Sequence, residues 1–346
     1  MKYNIEKLKT DAYLWNLYTR KEEYNSDFFD IYHRFPYYKS KNRNIFYPQV
    51  SDFLIKNGLK IKYPNNKKFA VCLTHDIDLV FYQNIRINDL IKSLKDLKIK
   101  RSLKILYSKT NKVRVPGLSF NKIMDLEEKF DAKSSFYFLS LEKNDLDFNF
   151  RPIDIKEDII TIIDRGWEVG LHGGHKAYND INKILKEKQQ LEIITKKKII
   201  GYRNHYLRFK VPETWEILKK AEFKYDTTFG YADCIGFRNG MCHPFKPFTL
   251  NSNKFIDIIE IPLIIMDGTL DRYMKLDFEN SWIIIKQLID IVSNLSGVIT
   301  ILFHNNDLTG WKLNLYKKIL KYCYEKNAWM TSGENIWKNW IENMKY

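Results

Sequence analysis

The chain has 346 residues and 45% hydrophobic content, which is ample to bury one large α/β core or two smaller ones. Its formal charge of +15 would suit an acidic partner, but the lysines are spread over the whole length, so no nucleic-acid site is expected. Four scattered cysteines exclude a disulfide scaffold, and no run approaches the roughly 18 apolar residues of a membrane span, so we expect a cytoplasmic protein.

Residues 1–66 are rich in aromatic and charged side chains and lack a repeated strand–helix pattern. Phe35-Pro36 and the run from Tyr63 to Asn66 are turn signals. We interpret this part as an N-terminal extension that packs on a main domain of residues 67–346.

From Phe69 onward, apolar strand-like runs alternate with helical patterns. Strands are predicted over Phe69–Leu73, Ser134–Leu139, Trp167–Leu171, Ile199–Tyr202, Lys224–Thr227, Ile258–Pro262, Val298–Phe303 and Ala328–Met330. Helices are predicted over Phe120–Lys129, Asp154–Arg165, Tyr178–Lys196, Pro212–Ala221, Ser281–Leu295 and Leu315–Lys326. This alternation indicates a parallel sheet with right-handed crossovers, and seven or eight such units suggest a closed α/β barrel.

The segment from Gln83 to Gly117 is too long for a simple connection between the first two strands. The spacing of Leu90, Leu94 and Leu97 predicts an inserted amphipathic helix over one end of the barrel.

Polar groups follow four of the apolar runs. They lie in the segments from Thr74 to Asp78, Gly170 to His175, Gly201 to Tyr206 and Thr300 to Asn306. Strand ends of a parallel barrel meet at one face, where active sites are built. Asp76 and Asp78 share one face of an extended strand, where two carboxylates repel unless a cation or a proton intervenes, so a divalent metal is one interpretation. Capping of a following helix by the two carboxylates is the other.

The order of these motifs resembles that of polysaccharide deacetylases with the NodB-homology domain. The similarity covers Phe69 to about Thr331 and implies a distorted (β/α)7 barrel that removes acetyl groups from amino sugars with a divalent metal, most commonly Zn²⁺. In the first motif, Asp76 corresponds to the general base and Asp78 to a metal ligand, while His75 replaces an aromatic residue.

The second motif of the family, His-x-x-x-His, is similar to the run from Trp167 to His175, in which the second histidine comes one residue early. The resemblance implies His172 as a ligand. Residues at i and i+3 share a helical face, so His175 is expected as the third ligand.

The third motif, Arg-x-Pro-Tyr, resembles the run from Arg203 to Tyr206, with His205 in place of proline. It implies that Arg203 orients the base and that the backbone near Tyr206 helps to hold the oxyanion; we interpret His205 as a packed residue. Leu302-Phe303-His304 resembles the last motif and makes His304 the general acid. Asp226 is expected to support the site, and His75 is placed with Tyr206 and Asp226 around the substrate and the oxyanion.

These residues together predict a hydrolase of an N-acetylated sugar or glycan, in cell-surface polysaccharide synthesis. Metal-activated water attacks the acetyl carbon, Asp76 takes the proton of the water, and His304 protonates the departing nitrogen. Two alternatives remain: a non-catalytic carbohydrate-binding member of the same fold, and a hydrolase of another amide or of an O-acetyl ester. The loop from Gly230 to Phe245 is either a sugar-binding loop or an ordered cover over the barrel.

Overall fold

The computed structural model describes residues 5–24, 26–81, 87–99, 102–103, 113–115 and 119–345. The strands are β1 Phe69–Ile77, β2 Ser135–Leu139, β3 Glu168–Gly173, β4 Gly201–Asn204, β5 Tyr225–Asp226, β6 Phe248–Thr249, β7 Lys254–Phe255, β8 Ile259–Glu260, β9 Leu263–Met266, β10 Val298–Leu302 and β11 Ala328–Thr331. The α-helices are α1 Ile5–Lys9, α2 Ala12–Thr19, α3 Gln49–Lys56, α4 Ile87–Lys95, α5 Phe120–Glu128, α6 Lys156–Asp164, α7 Ile181–Thr195, α8 Glu213–Lys220, α9 Phe278–Asn294, α10 Gly310–Glu325 and α11 Gly333–Lys345. In these ranges, no helix is both long and apolar enough to cross a membrane.

The main sheet of the described chain is parallel, and its two ends are joined. Its strands follow the order β8-β5-β4-β3-β2-β1-β10-β9, and β11 pairs with the first half of β1. β8 pairs with β5 and β9 pairs with β10, while only Ile261 and Pro262 separate β8 from β9. The single segment 259–266 therefore links both ends and curls the sheet into a distorted seven-stranded barrel, which confirms the predicted fold class.

Several strands differ from the prediction, and the differences at β1 and β9 change the surroundings of the site. β1 does not end at Leu73 but continues to Ile77, because its last four residues pair with β2. β9 was not predicted, since Pro262 was expected to end the strand before it. A proline removes one backbone donor, and pairing resumes at Leu263 on the opposite neighbour, β10. Because β1 continues to Ile77, Asp76 lies inside a strand and not in a loop.

Four helices, α2, α5, α7 and α9, begin at a capping side chain. The Asp180 carboxylate accepts the backbone N–H groups of Asn182 and Lys183 at the start of α7. Gly166 follows α6 with φ of 85°, a left-handed position that favours glycine. The helices between the strands return the chain to the same end of the barrel before the next parallel strand begins. The carboxyl ends of the strands therefore meet at one face.

The N-terminal segment packs on the barrel through a buried ion cluster. Glu23 accepts hydrogen bonds from the guanidinium groups of Arg20 and Arg238, and all three side chains are buried. Residues of α2 and α3 belong to the same hydrophobic core as the barrel strands. The loop 230–245 is mostly buried against this segment, so it forms an ordered cover. The domain boundary at residue 66 stays a prediction.

The predicted insertion after the first strand contains α4, Ile87–Lys95. Leu94 and Leu97 are largely exposed there. Residues 83–86, 100–101, 104–112 and 116–117 of the predicted insertion lie outside the described residues.

Candidate active site

The carboxyl ends of the strands surround a pocket, and β1 contributes its two carboxylates to it. Asp76 and Asp78 both line this pocket, which has a volume of ≈ 240 Å³. Thr74, two residues earlier on the same face, donates its hydroxyl to the Ile301 carbonyl at 3.0 Å. The period of two along the strand therefore places the carboxylates side by side, as predicted.

His75 lies on the opposite face of β1 and is a correction to the predicted substrate and oxyanion group. Its Nδ1 donates to the Phe303 carbonyl at 2.9 Å, and its Nε2 lies 2.8 Å from the Glu127 carboxylate. Tyr316 donates to the same carboxylate at 2.6 Å. His75 is fully buried and joins β1 to α5 and α10, because the strand alternation turns it away from the pocket.

Asp78, His172 and His205 form the candidate metal group, with one ligand atom from each lying within 4.8 Å of the others. His172 Nε2 is 3.1 Å from Asp78 Oδ1, and His205 Nε2 is 3.8 Å from Asp78 Oδ2. Ligand atoms of a tetrahedral zinc with bonds of about 2.1 Å lie roughly 3.4 Å apart. The buried Asp78 Oδ1 has no hydrogen bond within the described residues. The three side chains thus fit a small divalent cation.

The second ring nitrogen of His172 determines how the ring faces this group. Nδ1 must donate to the Arg203 carbonyl, 3.0 Å away, since a carbonyl only accepts. Nε2 then points at Asp78, as a metal-binding nitrogen does when a carbonyl orients its ring. This bond also ties the end of β3 to β4, the strand that carries Arg203.

The protonation of the three side chains bears on metal binding, because a ligand must be deprotonated. Burial raises the pKa of Asp78, but His205, His172 and His304 outweigh it and hold that pKa well below its usual range. Burial lowers the pKa of His205 to about 4, so this ring is neutral, as a ligand must be. Burial alone would lower the pKa of His172, but Asp76 and Asp78 raise it, so a proton competes with metal at Nε2.

His175 lies outside this group, which corrects the predicted ligand set. The expectation assumed a helical turn from His172 onward, whereas β3 continues to Gly173 and carries the chain past the pocket. The ring of His175 packs edge-on against Tyr206 with centroids 5.7 Å apart. His205, in the turn directly after β4, takes its place beside His172.

Asp76 and Arg203 are brought together beneath the candidate metal group. Asp76 Oδ1 is 3.5 Å from Arg203 Nε, and Asp76 Oδ2 is 3.7 Å from His172 Nε2. Arg203 is fully buried, donates to the Thr74 hydroxyl at 2.8 Å and lies over the Tyr137 ring at 5.3 Å. The guanidinium is thus fixed by one hydrogen bond and lies beside the carboxylate that borders the metal group, as an ion pair without a hydrogen bond within the described residues.

His304 faces the same pocket from β10 and is held by Asp267, a residue that sequence reasoning missed. Asp267 accepts from the His304 ring at Nδ1, 2.6 Å away, and from its backbone N–H at 3.0 Å. Burial lowers the pKa of His304, but Asp267, Asp78 and Asp76 outweigh it and raise the pKa to about 10. Nε2 thus carries a proton, 3.7 Å from Asp78 Oδ2. The available signal was an apolar strand run that ends in a carboxylate, as β1 does.

Tyr206 lines the pocket, and its role toward the oxyanion stays a prediction, whereas Asp226 does not line the pocket. Asp226 is fully buried at the end of β5, and burial raises its pKa. It accepts from the Thr228 hydroxyl at 2.6 Å, and that hydroxyl accepts from the Asn204 N–H at 2.9 Å. Asp226 is therefore corrected from the substrate group to a buried support of the β4 end, next to His205.

The N-terminal segment also contributes to the pocket. Tyr32 and Arg34 line it together with Arg272 and Tyr273, which follow β9. Nothing in the sequence placed residues 1–66 at the site, because the motifs begin only at Phe69 and a lone tyrosine or arginine carries no pattern.

The barrel was compared with known sequences and solved structures. No model of a known sequence family matches the chain, and no curated protein sequence does either. A Mycobacterium smegmatis protein classed as a polysaccharide deacetylase has a TM-score of 0.54 and 14% identity, covering 80% of this chain and 92% of its own. The peptidoglycan deacetylase PdaC from Bacillus subtilis has a TM-score of 0.40, 14% identity and coverages of 81% and 94%. A CE4 family pseudoenzyme from Bacillus anthracis has a TM-score of 0.42, 12% identity and coverages of 80% and 66%.

The first of these similarities shows the fold alone, because its identity is low. It supports the predicted relation to polysaccharide deacetylases at the level of the barrel.

Proposed function

We propose that this protein is a metal-dependent hydrolase that removes the N-acetyl group from an amino sugar or its conjugate. The observation that carries the proposal is the convergence on one pocket of a carboxylate with its arginine, a two-histidine, one-carboxylate group, and a histidine held by a second carboxylate. Amide hydrolysis needs a base, a site for the developing oxyanion and an acid for the nitrogen, and each has a candidate here.

Asp78, His172 and His205 would hold the metal. A divalent cation bound there supplies a water of lowered pKa and polarises the carbonyl oxygen. Asp76 borders this group and accepts the proton of the water, while Arg203 keeps its carboxylate in position. His304 presents a protonated Nε2 to the pocket and donates that proton to the departing nitrogen, which cannot leave as an anion.

The small pocket suits a single sugar residue. Its volume of ≈ 240 Å³ is below the range of about 300 to 1,000 Å³ found for drug-sized ligands. Tyr273 at its wall supplies a ring against which a sugar can pack. The role in cell-surface polysaccharide synthesis and the cytoplasmic location stay predictions.

The test is metal content and acetate release measured on the same preparation, purified without chelator. We expect about one equivalent of zinc or another divalent metal and release of acetate from N-acetylhexosamine derivatives. His205→Ala should lose the metal, whereas the matched control His175→Ala should keep it. A folded wild-type protein without metal would refute the enzyme and favour a non-catalytic carbohydrate-binding role; retention by His205→Ala with loss by His175→Ala would restore the ligand set predicted from the sequence.

A further inference from the structure

Arg34, on the N-terminal segment, is joined to two separate walls of the pocket. Its Nε donates to Asp30 at 2.7 Å, its Nη1 to the Tyr206 carbonyl at 3.0 Å, and its Nη2 to the Tyr273 hydroxyl at 3.1 Å. Its side chain is 8% exposed. The guanidinium thus donates its hydrogen bonds to protein groups around the pocket and not to solvent.

The two walls carry different parts of the chemistry. Tyr206 comes directly after His205, the third candidate ligand. Tyr273 belongs to the turn that follows β9 and begins just after Asp267, which holds His304. Arg34 therefore connects the ligand side of the pocket with the acid side.

A stack of flat groups extends from Arg34 to the candidate metal group. The guanidinium lies 4.7 Å from the Tyr32 ring centroid. The rings of Tyr32 and Tyr206 are stacked at 4.5 Å and 16°, and those of Tyr206 and His205 at 4.1 Å and 5°. His205 Nδ1 is buried and has no hydrogen bond within the described residues. Metal-binding histidines are ordinarily oriented by a hydrogen bond to the second nitrogen. At His205, the stacked rings take over this orienting role.

The backbone under the stack also needs external support. Tyr206 and Leu207 have φ of 59° and 53°, in the left-handed region that non-glycine residues rarely occupy. Such conformations persist where the surroundings over-determine them. The hydrogen bond from Arg34 to the Tyr206 carbonyl is a contact of this kind, and it comes from a segment 172 residues away in the chain.

We propose that Arg34 is a positioning residue that, together with Tyr32, sets the orientation of His205, so that the N-terminal segment completes the metal site of the barrel. This inference rests on the proposed function, since it assigns a task to the segment within the same site.

The test compares metal affinity in Arg34→Met with that in Arg43→Met. Arg43 lies on the same segment, where it donates to the Tyr38 carbonyl and does not line the pocket. Partners that orient metal ligands are worth about 10- to 100-fold in affinity, so Arg34→Met should bind zinc about 10- to 100-fold more weakly, and Arg43→Met should match the wild type. Cobalt substituted for zinc should give a changed visible spectrum in Arg34→Met, and Arg34→Lys should recover only part of the affinity because one ammonium cannot reach all three acceptors.

A second variant keeps the inference testable if Arg34→Met does not fold. Tyr32→Leu removes the stacked ring and leaves the hydrogen bonds of Arg34 in place; it should weaken metal binding while Tyr38→Leu, an exposed tyrosine of the same segment, does not. Unchanged metal affinity and cobalt spectrum in folded Arg34→Met, or in folded Tyr32→Leu where the first does not fold, would overturn the inference and leave the proposed function standing. A wild-type protein that binds no metal refutes the proposed function instead.

Discussion

Replacing Asp267 by asparagine tests whether a buried carboxylate keeps His304 protonated as the acid. The amide still accepts the His304 backbone N–H but removes the charge that contributes most to raising the pKa of that histidine to about 10. Without it, we expect this pKa to fall toward the ordinary value of about 6.5. At about pH 8 a histidine with a pKa of about 10 is roughly 99% protonated, and one with a pKa of about 6.5 is roughly 3% protonated.

Acetate release at this pH should consequently drop roughly 30-fold if only the protonated acid is active. The assay is kcat/KM for acetate release from about pH 6 to pH 10, with bound metal measured in each preparation. The alkaline limb of the profile should move down in Asp267→Asn by as much as about 3.5 pH units.

Asp271→Asn is the matched control, because Asp271 lies in the same turn but pairs with Lys312 at 2.9 Å. Its profile should follow the wild type. An alkaline limb that stays in place in metal-loaded Asp267→Asn would show that His304 does not act as a protonated acid, and the reasoning from its surroundings would be refuted.

Asp76→Asn should keep its metal and lose at least roughly a hundredfold in acetate release, since an amide cannot accept the proton of the water. His304→Ala should keep its metal and hydrolyse an activated aryl acetate while losing amide cleavage, because an aryl oxide leaves without a proton; the two rates measured on one sample decide this. Glu23→Gln leaves the buried Arg238 without its carboxylate, while Arg20 keeps Glu22 at 2.7 Å, and it should lower the free energy of unfolding in urea by about 3 to 5 kcal/mol.

Each of these has its own control. Wild-type rates in metal-loaded Asp76→Asn would make Asp76 structural, and equal loss on both substrates would move His304 to the attack step. For Glu23, the comparison is Asp52→Asn, which breaks an exposed ion pair with Lys56 and should cost about 1 kcal/mol or less. A similar cost for the two variants would mean that the buried cluster is not what fastens the N-terminal segment.

Local patterns in the sequence were sufficient for the barrel and for the strands that carry the site. Apolar runs separated by helical periods predict a parallel sheet, because burial on both faces of a strand leaves a continuous hydrophobic signature. The period of two along β1 also placed Asp76 beside Asp78, since neighbours on one face of a strand need no distant contact to be close. The same local pattern placed Arg203 at the end of a strand, which is β4 in the structure.

The tertiary structure alone decided which histidines share the pocket. Whether the His175 side chain reaches the pocket depends on where β3 ends. Whether the His205 side chain lies beside His172 depends on how near β4 lies to β3. Neither position is encoded by spacing within one segment. His75 shows the same limit: its neighbours in sequence are site residues, yet its face of the strand meets α5 and α10.

The partners of the site came from the most distant parts of the chain. Asp267 supports His304 across the pairing of β9 with β10, and that pairing exists because segment 259–266 joins both ends of the sheet. Arg34 reaches Tyr206 only after the N-terminal segment has packed on the barrel. Such contacts are set by long-range packing and by the cost of burying a charge without a partner. Both act on the folded chain as a whole and leave no periodic pattern in the sequence.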